Sequence, residues 1–357
     1  MGMTSLERVR AAAERRKADR PCSSLRCTPE AWKTLREYFG VATDMEVLDL
    51  LDIDLRWVGA PFIGPVEKSA SPLGSEGTDF WGCHTRAVTN EYNTYFEFDY
   101  HPLQKAQTVR DVDAHDWPQL DWWNYAAIRD QALAHDTKDQ RAHIYFVGGT
   151  FETPWYIRGL ETFLMDLYEN PEIVHAICTH VGDYYQARAF RALEAAGDQI
   201  HMMGSGGDIG SQRGMMLSPQ MWREHIKRHC ARLITPFRQR GLMTFYHSCG
   251  SLVPVIDDLI ALGLQFLDPI QTNADGMDPE SLFAQFGDRL SFHGAVDEVE
   301  LLPHATPAEV YAETTRLIDV MGRNHGFIVS PSHQVQGDTT PENVEAIFKA
   351  VRDYPNR

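Results

Sequence analysis

The chain has 357 residues, 43% of them hydrophobic and 11% aromatic, enough to bury the core of one large α/β domain or two smaller ones. Its formal net charge of −17 disfavours nucleic acid, anionic membranes and strongly polyanionic ligands, unless a local basic pocket overrides the overall field. No apolar run approaches a bilayer span, and the six cysteines (22, 27, 83, 178, 230 and 249) lack framework spacing, which points to a reducing cytoplasm rather than disulfides.

In chain order, residues 1–20 are charged and lack the apolar core of a secretory signal, so they read as a surface helix. Two candidate strands follow, at 22–27 and 53–58. The stretch 60–141 is too long for one βα connection and predicts an insertion over a site, with a hairpin at about 89–100. Its Trp81, Tyr92, Tyr95, Phe96 and Phe98 are candidates for an apolar lid, with core packing the simpler role for any one of them. Beyond it, apolar runs at 142–147, 199–204, 242–247, 266–270, 290–295 and 326–331 are each followed by a helical pattern. Helix starts are marked by an N-cap residue before proline: Thr28-Pro29, Asn170-Pro171, Ser218-Pro219, Asp278-Pro279, Thr306-Pro307 and Thr340-Pro341. Glu309 adds a capping box to Thr306. Strands alternating with helices imply a parallel sheet, and eight such units imply a (β/α)8 TIM barrel. The expectation is therefore one domain over 1–357, with an insertion between strands 2 and 3 and an N-terminal helical extension.

Chemistry in such barrels sits at the C-terminal strand ends, and here those ends are polar. Glu152 follows strand 3, Asp208 and Gln212 follow strand 4, and His247 and Cys249 close strand 5. Asp268 and Gln271 close strand 6, His293 and Asp297 lie around strand 7, and His333 follows strand 8. Polar residues at six successive ends are hard to assign to packing, and they speak against a barrel that only binds. His247-Ser248-Cys249-Gly250 is the sharpest feature. Residues i and i+2 of a strand share a face, so an imidazole and a thiol converge there, half of a zinc site. A buried cysteine acting as a plain hydrophobe is the ordinary alternative. Gly250 permits a sharp exit, and Ser251 is placed to cap a helix through Leu259 and Ile260 that would favour a thiolate. Tyr246 faces away and reads as packing. His225 and His229 have i,i+4 spacing but no acidic partner between them, and read as surface histidines.

The segments YHSCG (246–250), GGDIGSQRGMMLSP (206–219), FLDPIQ (266–271), FHGAVD (292–297) and SPSHQVQGDTTPENV (330–344) resemble the uroporphyrinogen decarboxylase-like barrels. That superfamily includes zinc-dependent corrinoid methyltransferases, whose His-x-Cys pair is joined by a third ligand after strand 8. The resemblance implies metal ligands at His247 and Cys249. His333 stands where a cysteine is usual and is itself an acceptable zinc donor. It further implies catalytic roles for Glu152 and Asp208 and substrate contacts from Gln212, Gln271 and His293. Asp268 and Gln271 are placed to orient His247 through its second ring nitrogen. The expected activity is transfer of a methyl group from a small O- or N-methylated substrate, with an aryl methyl ether favoured by the aromatic insertion. The acceptor would be the corrinoid (cobalamin) of a separate protein, with a thiol acceptor and a homodimer both left open. The alternative is a metal-free decarboxylase acting on a small carboxylated substrate. The decarboxylases use an arginine-rich N-terminal motif, and here residues 23–29 hold only Arg26, too little for a tetrapyrrole.

Overall fold

Apolar runs bounded by glycine and proline become buried parallel strands because helices cover the sheet's outer face. The computed structural model describes residues 2–70, 73–92, 94–136 and 140–356. The barrel has eight parallel strands, β1 (Cys22–Ser23), β2 (Leu55–Val58), β3 (Ala142–Gly149), β4 (Met202–Gly206), β5 (Met243–His247), β6 (Phe266–Ile270), β7 (Ser291–Val296) and β8 (Phe327–Pro331), of which β2 to β8 pair in chain order. β1 pairs back onto β8, so the sheet is a nearly closed (β/α)8 barrel. Each of the eight runs read from sequence overlaps one of these strands. The seam between β1 and β2 is closed by Asp54. Its N–H donates to the Ser23 carbonyl at 3.2 Å, and its carboxylate accepts the Ser23 N–H at 2.9 Å and the Arg20 guanidinium at 2.7 Å.

The N-terminal helix, Ser5–Ala13, is not a surface helix. Leu6, Val9, Ala12 and Ala13 pack with Ile144, Met202, Phe245, Phe266 and Ile328 and plug the floor of the barrel. The charges that suggested a surface element are met by neighbours, since Arg8 pairs with Asp19 and Asp54. The proline-marked helices start where expected. Thr28, Ser218, Asp278 and Thr306 make side-chain cap bonds, whereas Asn170 and Thr340 do not.

The insertion carries its own small sheet, built from Lys68–Ser69, Gly77–Asp79, His84–Thr89 and Thr94–Tyr100, so the hairpin starts earlier than predicted. Its aromatics do not form one lid. Trp81 is wholly buried against Tyr184 and Tyr185, Tyr92 and Tyr95 face solvent, and Phe98 packs at 4.6 Å on Tyr156. Among the described residues no helix is long and apolar enough to cross a membrane.

Near the barrel floor, His135, His143 and His201 are buried with their rings in a row, 5.7 Å and 5.3 Å apart. Burial, then the charges of His143 and Arg56, pushes His135 down to about 4, and burial and His143 bring His201 to about 4. Above pH 6.5 these rings are neutral in both folded and unfolded chains and cost nothing. Below it the unfolded chain takes up protons that the folded one refuses, so stability falls from pH 6.5 toward 4. His135 and His201 should each contribute a loss of about 2–3 kcal/mol across that window. Urea midpoints measured against pH should show this slope, and His135→Gln should flatten it; an unchanged slope in the variant would assign acid lability elsewhere.

Candidate metal centre

Register decides which side chains meet at the mouth. His247 ends β5 opposite Asp268 of β6 and Gly206 of β4. Alternation sends Tyr246 outward, where its hydroxyl lies 3.4 Å from the Gly207 carbonyl and 3.6 Å from Cys230 Sγ, a packing role as expected. His247 turns inward, and its Nδ1 hydrogen bonds Asp268 Oδ2 at 2.5 Å. Nε2, the other nitrogen, is left to face the mouth.

The loop after β5 is pinned against the loop after β4. Gly250 has φ +75°, and a Cβ there would lie 2.6 Å from the Ser211 backbone; a Cβ on Gly210 would lie 2.5 Å from the Cys249 carbonyl. Only glycine at both positions allows this approach. The Cys249 N–H donates to Asp208 Oδ1 at 2.9 Å, the Ile209 N–H to Ser248 Oγ at 3.2 Å, and the Gly250 N–H to Gln271 Oε1 at 2.6 Å. Gln271 thus holds the loop and does not orient His247; Asp268 alone does that. Ser251 is not a helix cap, because its N–H donates to the Ser211 carbonyl and the helix begins only at Ile256, after a 3-10 turn. No helix terminus therefore favours the Cys249 thiolate. Burial pushes that thiol up, with His247 opposing.

His333 follows β8 in a loop tied down on both sides. The Ser332 N–H donates to the Val296 carbonyl at 2.7 Å, and the Val335 N–H to the Arg26 carbonyl at 2.9 Å. Its ring centroid is 6.0 Å from that of His247. Among the described residues, His247, Cys249 and His333 form the one group whose ligand atoms all lie within 4.8 Å of each other. A tetrahedral zinc with bonds of about 2.0–2.1 Å to nitrogen and about 2.3 Å to sulfur spaces its nitrogen and sulfur ligands by about 3.6 Å. His247 Nε2 and Cys249 Sγ are 3.6 Å apart. Two imidazoles and one thiol would leave a zinc ion a fourth position, the donor count of catalytic rather than structural zinc sites.

Electrostatics at the mouth are dominated by Asp268. Burial would raise its carboxyl, but His293, Arg26 and His247 hold it well below the ordinary range. Burial would likewise depress His247, yet the Asp268 charge and hydrogen bond keep it well above 6.5. His333 is brought to about 4 by burial and then by the charge of His247, so its lone pair is available. A metal ion entering this set would displace protons from His247 and Cys249. Glu152 is half-buried at the start of the helix Glu152–Arg158, and desolvation of its carboxyl, then the charge of Asp208, pushes it up to about 8. Its Oε2 has no hydrogen-bond partner and lies over Gly149, where a Cβ would approach it to 1.8 Å. Arg158, on the same helix, does not pair with it and binds Asp166 at 2.8 Å instead.

The remaining sequence candidates are dispersed. Asp208 lies 3.6 Å from His247 Nε2 and belongs to the centre. Gln212 is exposed on the 210–215 hairpin, where its carbonyl accepts the Asp275 N–H at 2.9 Å. His293 does not face the mouth; it is buried beneath it, with Nδ1 bonded to Asp268 Oδ1 at 2.5 Å. His225 and His229 are buried between helices rather than on the surface. Three further residues shape the mouth: Trp57 and Phe146, which sequence reading missed, and Arg26, which it noted only as the lone arginine of 23–29. Arg26 lies 3.4 Å from Asp268 and 4.8 Å over the Trp57 ring, and Phe146 packs edge-on to His247. Alternation along β3 could have found Phe146, which shares a face with Ile144. Nothing local marks the other two.

The uroporphyrinogen decarboxylase (URO-D) family model matches residues 94–354. Curated uroporphyrinogen decarboxylases from Methylococcus capsulatus and Magnetococcus marinus are 22% and 23% identical over 191 and 214 residues, or 53% and 58% of this chain. The matches cover 51% and 54% of those proteins, so the chain spans about half the length of the curated relatives it matches. A solved methyltransferase from Methanosarcina mazei superposes with a TM-score of 0.69 at 15% identity, covering 99% of each chain, and shares the fold.

Proposed function

The chain belongs to the uroporphyrinogen decarboxylase family, and from that premise we propose that it is a zinc-dependent methyltransferase. It would take a methyl group from a small O- or N-methylated substrate, with an aryl methyl ether favoured, and deliver it to the corrinoid of a separate protein. One observation carries this reading: His247, Cys249 and His333 converge with ligand spacing, and a buried carboxylate holds the first of them. Zinc held by one thiolate and two neutral imidazoles would be a strong Lewis acid toward the oxygen or nitrogen carrying the methyl group. The chain's own residues supply the rest. Asp268 fixes the His247 tautomer so that Nε2 is the free donor. Glu152, pushed up to about 8, carries a proton at neutral pH and is the acid for the departing donor atom. Asp208 fixes Cys249 through its N–H. The half-buried rings of Phe146 and Trp57, 6.1 Å apart, lie between His247 and Arg26 and would be the aromatic surface beside an aryl substrate.

The names of the curated relatives favour a second reading, a metal-free decarboxylase acting on a small carboxylated substrate with Asp208 at its centre. Zinc analysis after mild purification separates the two. Cys249→Ala and His333→Ala should each carry about one equivalent less zinc than the wild type, and both should lose methyl transfer to a Co(I) corrinoid. Full zinc in His333→Ala would strike that residue from the ligand set and point to Glu152. Zinc-free wild type that releases carbon dioxide from a small carboxylate would replace the proposal with the second reading.

A further inference from the structure

On the outer flank of the barrel, away from the mouth, two adjacent helices bring three histidines together. His175 lies on the helix Pro171–Ala196, and His229 on Lys227–Gln239. His225 sits in the π-helical turn Trp222–Ile226, a widened turn of the kind often retained at functional sites. His225 Nδ1 is 3.2 Å from His175 Nε2, and the rings of His175 and His229 are near-parallel at 6.1 Å. His225 and His229 are only 7% and 3% exposed. The Nδ1 atoms of His175 and His229 are buried with no hydrogen-bond partner, a state folded proteins normally avoid. Glu224 lies 3.8 Å from His225 Nε2 and favours a cation. Arg228 opposes one, and its Nε–H donates to His229 Nε2 at 3.3 Å, so the lone pair of that neutral ring is on Nε2 and its proton on Nδ1.

We propose that His175, His225 and His229 form a second metal site, for a late divalent transition ion such as zinc, nickel or copper(II), that ties the two helices together. Two nitrogens sharing one tetrahedral ion at about 2.0–2.1 Å are spaced by about 3.3 Å, close to the separation of His175 and His225. The ion takes the place of the hydrogen between those two rings; the ring that donated it takes that proton up on its other nitrogen, and the accepting ring keeps the proton it already holds there, so both remain neutral ligands. All three donors do not yet lie within 4.8 Å of one another, so His229 leaves Arg228 and turns its Nε2 inward as the ion binds, keeping its proton on Nδ1. Burial, followed by the charge of Arg228, holds His229 at about 4 and also lowers His175, so both present lone pairs at neutral pH. Imidazole donors on a protein flank suit the zinc end of the divalent series and not magnesium or calcium.

Equilibrium dialysis of the full chain against zinc at neutral pH tests this. The wild type should bind about two equivalents, Cys249→Ala about one, the double variant His175→Ala/His225→Ala about one, and the combined triple variant essentially none. Wild-type zinc content in the double variant overturns the flank site, and so does a wild type that binds a single equivalent lost in Cys249→Ala. Undiminished zinc in Cys249→Ala overturns the mouth reading and leaves the flank site to be judged by the double variant. A thermal shift guards against misfolding. Zinc should raise the Tm of Cys249→Ala, and the milder His225→Gln change in that background should abolish the rise; a rise that persists counts against the site.

Discussion

Replacing Asp268 by alanine should destabilise the fold by about 3–5 kcal/mol and weaken zinc binding by about 10–100-fold, the largest single effect expected in this protein. Asp268 is wholly buried and accepts from His247 and His293 at 2.5 Å each, with Arg26 at 3.4 Å. Deleting the carboxylate leaves two buried imidazoles and a partly buried guanidinium without their shared anion. Asp268→Asn is the informative companion. A carboxylate accepts from both rings at once, whereas an amide offers one acceptor and one donor. One ring must then change tautomer, and if it is His247 its proton moves to Nε2, the atom that would bind metal. The asparagine variant should therefore keep more stability than alanine yet still lose most of its zinc affinity. Urea unfolding with zinc competition reads both quantities. Wild-type zinc affinity in Asp268→Asn would mean that the carboxylate does not set the tautomer.

Gly250→Ala should cost about 2–4 kcal/mol and reduce zinc content as well. Part of this is the left-handed backbone at φ +75°, worth about 1–2 kcal/mol for any residue with a Cβ. The rest is a collision, since the new Cβ would lie 2.6 Å from Ser211 N and O, backbone atoms that cannot rotate away. Relief requires the loops after β4 and β5 to part, costing about 1–3 kcal/mol and drawing Cys249 from its bond to Asp208. Gly241→Ala supplies the control. Its φ is +83°, but a Cβ there meets nothing within 4 Å, so only the backbone term applies. Equal midpoint shifts in the two variants would show that the packing of the two loops contributes nothing.

The barrel was legible because its signals are local. Apolar runs of strand length, N-caps followed by proline and the regular alternation of the two repeat in sequence, and each reports its own element. The N-terminal helix was misread for the opposite reason. Its charged residues are visible in sequence, but the floor that buries Leu6 and Val9 is assembled from seven distant strands, and Arg8 finds Asp54 far along the chain. His225 and His229 were misjudged in the same way, because the neighbour that buries them is a separate helix carrying His175.

At the mouth, the donor types and their strand are written locally: His247 and Cys249 at i,i+2 must share a face, and Gly250 must follow where the chain turns sharply. The sequence also placed His333 after the last strand, facing the same end of the barrel. Which of the other polar residues join them depends on how distant strands and loops come together. Parallel register set Asp268 beside His247, with His293 beneath, and the glycine contact between two loops gave Gln271 to the Gly250 backbone rather than to a histidine. Side-chain direction along a strand follows from a two-residue period, which is local. Partnership between strands depends on register and loop contact, which no single segment encodes.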